Sequence, residues 1–222
     1  MRETGKNLSK DSNKDLRRVI LDASIQLVAE SGVRAVSFRE VARIANVSHQ
    51  APYHYFENHL AIMRAIAQEG FAGLATAMKE AADEQEGDSL AALTAAGIAY
   101  VLFAVAHLGH FRVMFQQSLV DIHDPEAPLG ESEGAFGVLM TLSTRVHEDG
   151  YGKGLTRDRI AMICWSVVHG IASLIAEGIV ETKKDKISIQ VSEITDQVVC
   201  GLSLLLDPKG QSKGIKKKRR TT

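Results

Sequence analysis

Ser37–Phe56 reads SFREVARIANVSHQAPYHYF, and the fold of the chain follows from how these twenty residues are parsed. Ser37 followed three residues later by Glu40 is a capping box, the signal for a helix start. Phe38, Val41, Ala42 and Ile44 place an apolar stripe on one face of a short helix. Asn46 visits the left-handed backbone region more readily than most residues and so ends that helix sharply. Val47 plugs the corner, Ser48 offers a second N-cap, and a second short helix runs to Phe56. Two short helices, a tight turn and a small residue for close approach (Ala42) make a helix-turn-helix. His49, Gln50, Tyr53 and His54 then occupy exposed positions of the second helix, with side chains that can reach bases and phosphates. Spacing alone also admits a plain pair of core helices. Pro52 cannot donate a backbone bond to the Ser48 carbonyl and crowds it, which predicts an irregular first turn there, a turn tighter than an α-helix being one form of it.

Working outward, LRRVILDASIQLVAESG (16–32) carries a helical stripe of Leu16, Ile20, Ala23 and Leu27, stopped at Gly32. Ser12 with Asp15 makes a capping box ahead of it, leaving 1–12 as a disordered arm. From Asn58 a long helix runs to Glu84. Helices are then expected at 90–107 and 109–120, with a break around Gly109. Three more follow at 131–149, 156–180 and 187–206, about nine in all with no convincing strand.

From Asp15 to Ile66 the chain resembles the DNA-binding domain of the TetR family of transcriptional regulators. The helix 16–32, SFREVARIANVS, the aromatic close PYHYF and the long following helix match in order and spacing. Asn46 stands where that family usually has Gly, Tyr55 where His is usual, and His59 where a Lys commonly opens the next helix and meets a phosphate. The resemblance implies a DNA-facing set of Arg34, Ser37, Arg39, Ser48, His49, Gln50, Ala51, Tyr53, His54 and His59. Arg34 and Arg39 read equally as ordinary surface.

The likeness continues through AYVLFAVAHLGHFRVMF (99–115) and WSVVHGIASL (165–174). These are similar to the C-terminal domain of a TetR subgroup named for its Trp, His and Gly, here Trp165, His169 and Gly170. It implies a small-molecule pocket and a homodimer built by the last two long helices, 156–180 and 187–206. Tyr100, Phe103, His107, Phe111, Met114, Phe115, Trp165 and His169 are the candidate pocket lining, an apolar set with a few polar groups. Each of them also suits plain core packing. On the 156–180 helix, Trp165, His169, Ala172 and Ala176 share one face, and Ile160, Ile163, Val167, Ile171 and Leu174 form a second stripe. Packing on two sides, or one helix buried all round, both fit.

The fold class is therefore all-α. A three-helix helix-turn-helix domain (13–60) precedes a C-terminal helical bundle for ligand binding and dimerisation (61–207) and a basic disordered tail (208–222). The length, 222 residues, accommodates this. Net charge is −1, but its distribution is uneven. Residues 1–60 carry nine Lys/Arg against seven Asp/Glu, 61–207 carry ten against twenty, and 208–222 carry seven and none. A mildly basic end on an acidic body suits a protein that presents one end to phosphate.

Other chemistry finds less support. Residues 1–14 are polar and lack the apolar core of a signal peptide, and the two cysteines suggest no disulfide framework, which together point to the cytoplasm. Ser89–Phe111 has no charged residue and is long enough to span a bilayer, yet it holds Thr94, Gly97, His107 and His110, and a buried helix gives the same signal. Cys164 and His169 are about 140° apart round a helix and cannot pair as nucleophile and base. His107 and His110, with His123 and Asp124, could bind a metal, but no complete ligand set is evident. No phosphate-cradling loop or serine nucleophile motif occurs. The expectation is a non-enzymatic regulator without cofactor, binding a palindromic DNA operator and an unidentified small-molecule effector, with no membrane partner. A helical small-molecule or metal sensor that does not act on DNA is the alternative.

Overall fold

Among the described residues, stretches with apolar side chains at helical spacing are helical. The structure, a computed structural model, describes residues 4–116 and 134–179, with side chains from Asp15 onward. Among these residues there are eight α-helices, one 3-10 turn and no strand. The helix expected at 187–206 lies outside the described residues.

The helices are α1 (Thr4–Ser31), α2 (Phe38–Ile44), α3 (Ala51–Tyr55), α4 (His59–Asp83), α5 (Ser89–Ala106), α6 (Leu108–Met114), α7 (Ala135–Glu148) and α8 (Arg157–Ala176). They fall into two compact units, Met1–Ala75 with Phe103–Ala135 and Thr76–Leu102 with Phe136–Thr222. Helices α4 and α5 contribute to both.

In the first unit, α1 buries Ile20, Leu21, Ala23, Ser24, Leu27 and Val28, a stripe at three- and four-residue spacing. The fully buried Ser24 hydroxyl donates to the Ile20 carbonyl at 2.8 Å, so its burial leaves no polar atom unmatched. Contrary to the expected arm at 1–12, α1 begins at Thr4 and runs through Ser12. Nothing in that polar stretch forbids helical backbone: it holds one glycine and no proline.

Helix α6 lies on α1, and two residues explain how closely. Gly109 was expected to break the chain; the break falls instead at His107 (φ −120, ψ 47), and Gly109 is buried inside α6. A Cβ at Gly109 would sit 2.4 Å from the Ile25 carbonyl oxygen, so only glycine permits this approach. Arg112 donates from Nη1 to the Ala29 and Val28 carbonyls, at 2.7 and 3.3 Å. A cation there adds a donor to the carbonyls of the last turn and complements the negative end of the α1 dipole. A third link joins α1, α4 and α6. Glu69 accepts from Arg18 at 2.5 Å and lies 3.1 Å from His110 Nε2.

In the second unit, α5 and α8 are long and apolar enough to cross a membrane by length and composition. Every residue of α5 except Ala106 is nevertheless buried or half-buried, as in a core helix. Helix α8 is capped by Thr156 and buries Ile160, Ala161, Cys164, Val168, Ala172 and Ala176. The expected faces are thus rotated: Cys164 and Val168 lie within the buried face, Trp165 and His169 at its edge, and Leu174 is exposed.

Candidate nucleic-acid interface and aromatic cluster

The turn between α2 and α3 is built by backbone hydrogen bonds that its sequence permits. Ser37 caps α2, its Oγ accepting from the Glu40 N–H at 3.3 Å. The Glu40 carboxylate accepts from Arg43 Nε at 2.8 Å. At the other end, the Val47 N–H bonds to the Ala42 carbonyl at 3.0 Å and the Asn46 N–H to the Arg43 carbonyl at 3.3 Å. With Asn46 at φ 52, this is a Schellman motif. Asn46 is the one non-glycine residue with positive φ among the described residues. The same pairing closes α7 at Gly150 and α8 at Gly178.

Helix α3 starts later than the Ser48 cap predicted. Its N-cap is Gln50, and Pro52 falls in the first turn, where a missing N–H costs nothing. The segment before it is a tight turn, with the Ala51 N–H on the Ser48 carbonyl at 2.9 Å. That agrees with the first turn expected from Pro52.

Of the ten predicted DNA-facing residues, Arg34, Ser37, Arg39, Ser48, His49, Gln50, Tyr53, His54 and His59 are exposed. Ala51 is a correction: it is 6% exposed and packs inward with Pro52, which leaves its side chain no access to a groove. Tyr53 is 61% exposed, yet its ring meets Phe38 edge-on at 4.5 Å. That contact braces the base of the side chain and leaves the rest of it in solvent. Asn58 caps α4, accepting from the Ala61 N–H at 2.9 Å, and so sets His59 at the first position of that helix. Arg34 and Arg39 make no ion pair among the described residues. Arg17, absent from the predicted set, lies over the Phe56 ring at 4.9 Å. No spacing rule links α1 to the end of α3, so nothing in the sequence signalled that contact.

The eight predicted pocket residues form two groups. Phe103, His107, Phe111, Met114 and Phe115 belong to the first unit, where Phe103, Phe111 and Met114 are buried. Phe115 meets Phe71 at 5.4 Å and Phe111 at 5.3 Å, and the Phe103 ring is 4.5 Å from that of His107. Phe115 is half-buried and His107 exposed, so the group runs from the core to the surface. Tyr100, Trp165 and His169 belong to the second unit, where Tyr100 Oη is 2.8 Å from His169 Nδ1 and the Trp165 ring is 5.9 Å from that of His169. Phe136 extends the group, 6.1 Å from Trp165.

Burial lowers the His169 pKa and raises that of Tyr100, so both are held neutral at pH 7. Tyr100 Oη and His169 Nδ1 thus share a hydrogen bond between neutral groups, its direction set by the imidazole tautomer. Cys164 beside them is buried, its thiol pushed up to about 12, which makes it inert as a nucleophile. No three His, Cys, Asp or Glu side chains converge on a metal position among the described residues, which exclude His123 and Asp124.

Comparison with known proteins places this geometry. Residues 20–66 match the model of bacterial regulatory proteins of the tetR family, and residues 93–190 match that of the tetracyclin repressor-like C-terminal domain. The chain belongs to the TetR family of transcriptional regulators. Its helix-turn-helix falls within the first match, and Trp165, His169 and Gly170 within the second. The family is one of regulators rather than enzymes. The chain is similar to the uncharacterized HTH-type transcriptional regulator YobS of Bacillus subtilis, 25% identical over 76% of this chain and 83% of that protein. Among solved structures, a Rhodococcus sp. RHA1 protein of unknown function is 30% identical, with a TM-score of 0.63 over 84% of this chain and 94% of that one. The TetR-family regulator PfmR from Thermus thermophilus shares the fold at 19% identity, with a TM-score of 0.65 over 84% of this chain and 96% of that one.

Proposed function

We propose that this TetR-family chain is a homodimeric, ligand-responsive repressor that binds a palindromic operator in the cytoplasm. The observation that carries the reading is the Schellman turn at Asn46, which ends α2 and delivers His49, Gln50, Tyr53 and His54 to solvent together. Gln50 and Tyr53, at the cap and on the helix of α3, suit base edges in a major groove, and Arg34, Ser37, Arg39, His49, His54 and His59 suit the flanking phosphates. Two such heads in a dimer would stand one helical turn apart, ~34–36 Å, on a two-fold site.

Exposed apolar side chains support self-association. Met162 and Leu174 on α8 are 57% and 44% exposed, and Ile179 just beyond it 66%. Association of two copies through α8 would bury these side chains. The proposed effector contacts are Tyr100, Trp165 and His169. An effector releases DNA only in so far as it binds more tightly to the dimer state that cannot span both half-sites.

Replacing Gln50 or Tyr53 by Ala tests the recognition surface. Each variant is expected to lose about tenfold or more in specific operator affinity, on the order of 1–3 kcal/mol for a base contact. The oligomeric state by analytical ultracentrifugation should not change. Normal operator binding by both variants would refute the assignment of α3.

A further inference from the structure

The proposed DNA-binding end is poor in fixed charge. Residues 1–60 hold nine Lys/Arg against seven Asp/Glu, and Glu40 pairs with Arg43 at 2.8 Å. The same stretch holds three of the chain's eight histidines, within eleven residues. His49 lies in the turn before α3, His54 on α3, and His59 opens α4, so the three bracket the recognition helix. All three are exposed, and none makes a hydrogen bond or ion pair among the described residues. Among the remaining described histidines, His110 and His169 are engaged by Glu69 and Tyr100 and His107 stacks near Phe103, while His147 is exposed in the other unit. His147 lies in the last turn of α7.

Imidazole is the side chain whose ordinary pKa, about 6.5, puts its charge change between pH 5 and 8. A phosphate oxygen beside an imidazole favours its protonated form. Resting on the DNA-binding reading, we infer that this head takes up protons as it binds DNA: His49, His54 and His59 become imidazolium against the phosphate backbone, and affinity is thereby governed by pH. Protonating all three would raise the net charge of residues 1–60 from +2 to +5. Each contact draws one proton from solvent.

The surrounding charges do not supply this titration in the imidazoles' place. They are Arg39, Glu40 and Arg43 on α2, Arg34 in the turn before it, Glu57 ahead of α4, Arg64 on α4 and Arg17 on α1. Guanidinium groups stay charged throughout, and carboxylates ordinarily titrate below this window.

The sign follows from linkage. A group that binds its proton more tightly in the complex strengthens binding as pH falls and weakens it as pH rises through the bound-state value. The test is fluorescence anisotropy at constant ionic strength, at pH 6 and pH 8, with two rhodamine-labelled duplexes. One is taken from directly upstream of the chain's own coding sequence; the other is its scrambled counterpart.

Affinity is expected to rise about tenfold from pH 8 to pH 6 for each imidazole that meets a phosphate. The log–log salt slope should steepen by about 0.9 for each imidazolium formed. The His49→Gln, His54→Gln, His59→Gln triple variant should bind more weakly than wild type and with the same affinity at both pH values, and His59→Lys should raise affinity at pH 8. Binding that changes less than twofold with pH, or a triple variant that keeps the wild-type dependence, would overturn the inference and leave the DNA-binding reading standing. No binding to either duplex at either pH would remove both.

Discussion

Asn46 shows how one residue sets the geometry of the proposed recognition surface. Its left-handed backbone (φ 52) turns the chain within a single residue and places Val47 on the Ala42 carbonyl. Asparagine tolerates this conformation where most side chains clash. Two glycines make opposite demands. Gly109 has the Ile25 carbonyl oxygen 2.4 Å from where a Cβ would stand, so Gly109→Ala forces α6 off α1. The expected cost is about 1–3 kcal/mol, the range for overpacking. Gly170 is exposed within α8 with nothing near its missing Cβ, and Gly170→Ala should stabilise by up to about 1 kcal/mol through helix propensity. Urea denaturation of both variants checks the pair; stabilisation at Gly109 would contradict the close packing. Neither role was legible from position alone. Gly109 read as a helix break because its partner, Ile25, lies far away in sequence, and such an approach leaves no local mark.

At the level of elements, helix ends were legible and helix phases less so. Ser37, Gly32, Asn46 and Asn58 act through neighbours within a few residues, and their caps and stops fall where those neighbours predict. Helix α3 begins three residues after Ser48 because Pro52 prefers the first turn and Gln50 takes the cap. In α8 an almost continuous apolar run fits several faces, and packing selects the one through Cys164 and Val168. Side-chain links between elements were not predicted at all. Arg18, Glu69 and His110 tie α1, α4 and α6 together. Partial burial raises the Glu69 pKa, but the hydrogen bonds from Arg18 and His110 outweigh it and hold the carboxyl below its ordinary value of 4.5. A depressed folded-state value means that Glu69 contributes stability above pH 4.5, and that this is lost as pH falls through the folded-state value. Arg18 and Glu69 are partly exposed, so the contribution is about 1 kcal/mol or less. Urea midpoints measured from pH 6 to pH 3 should converge for wild type and Glu69→Gln at the acid end. A gap that persists unchanged would show that the charge of Glu69 is not what joins these helices.

For the whole molecule, an all-helical chain with a helix-turn-helix ahead of a larger helical region could be read from the residues. Family membership followed from the order and spacing of four segments. How the eight candidate pocket residues divide between the two units could not, because α5 carries Tyr100 and Phe103 three positions apart into different units. The account's central claim is that this chain reads DNA sequence through α3. Its most direct test is fluorescence anisotropy of the purified protein with the native upstream duplex and its scrambled counterpart, at two salt concentrations. The account predicts tight binding to the native duplex, with two subunits per site, and weak, strongly salt-sensitive binding to the scrambled one. Equal, salt-sensitive binding to both duplexes would contradict it, showing attraction to phosphate without recognition of bases.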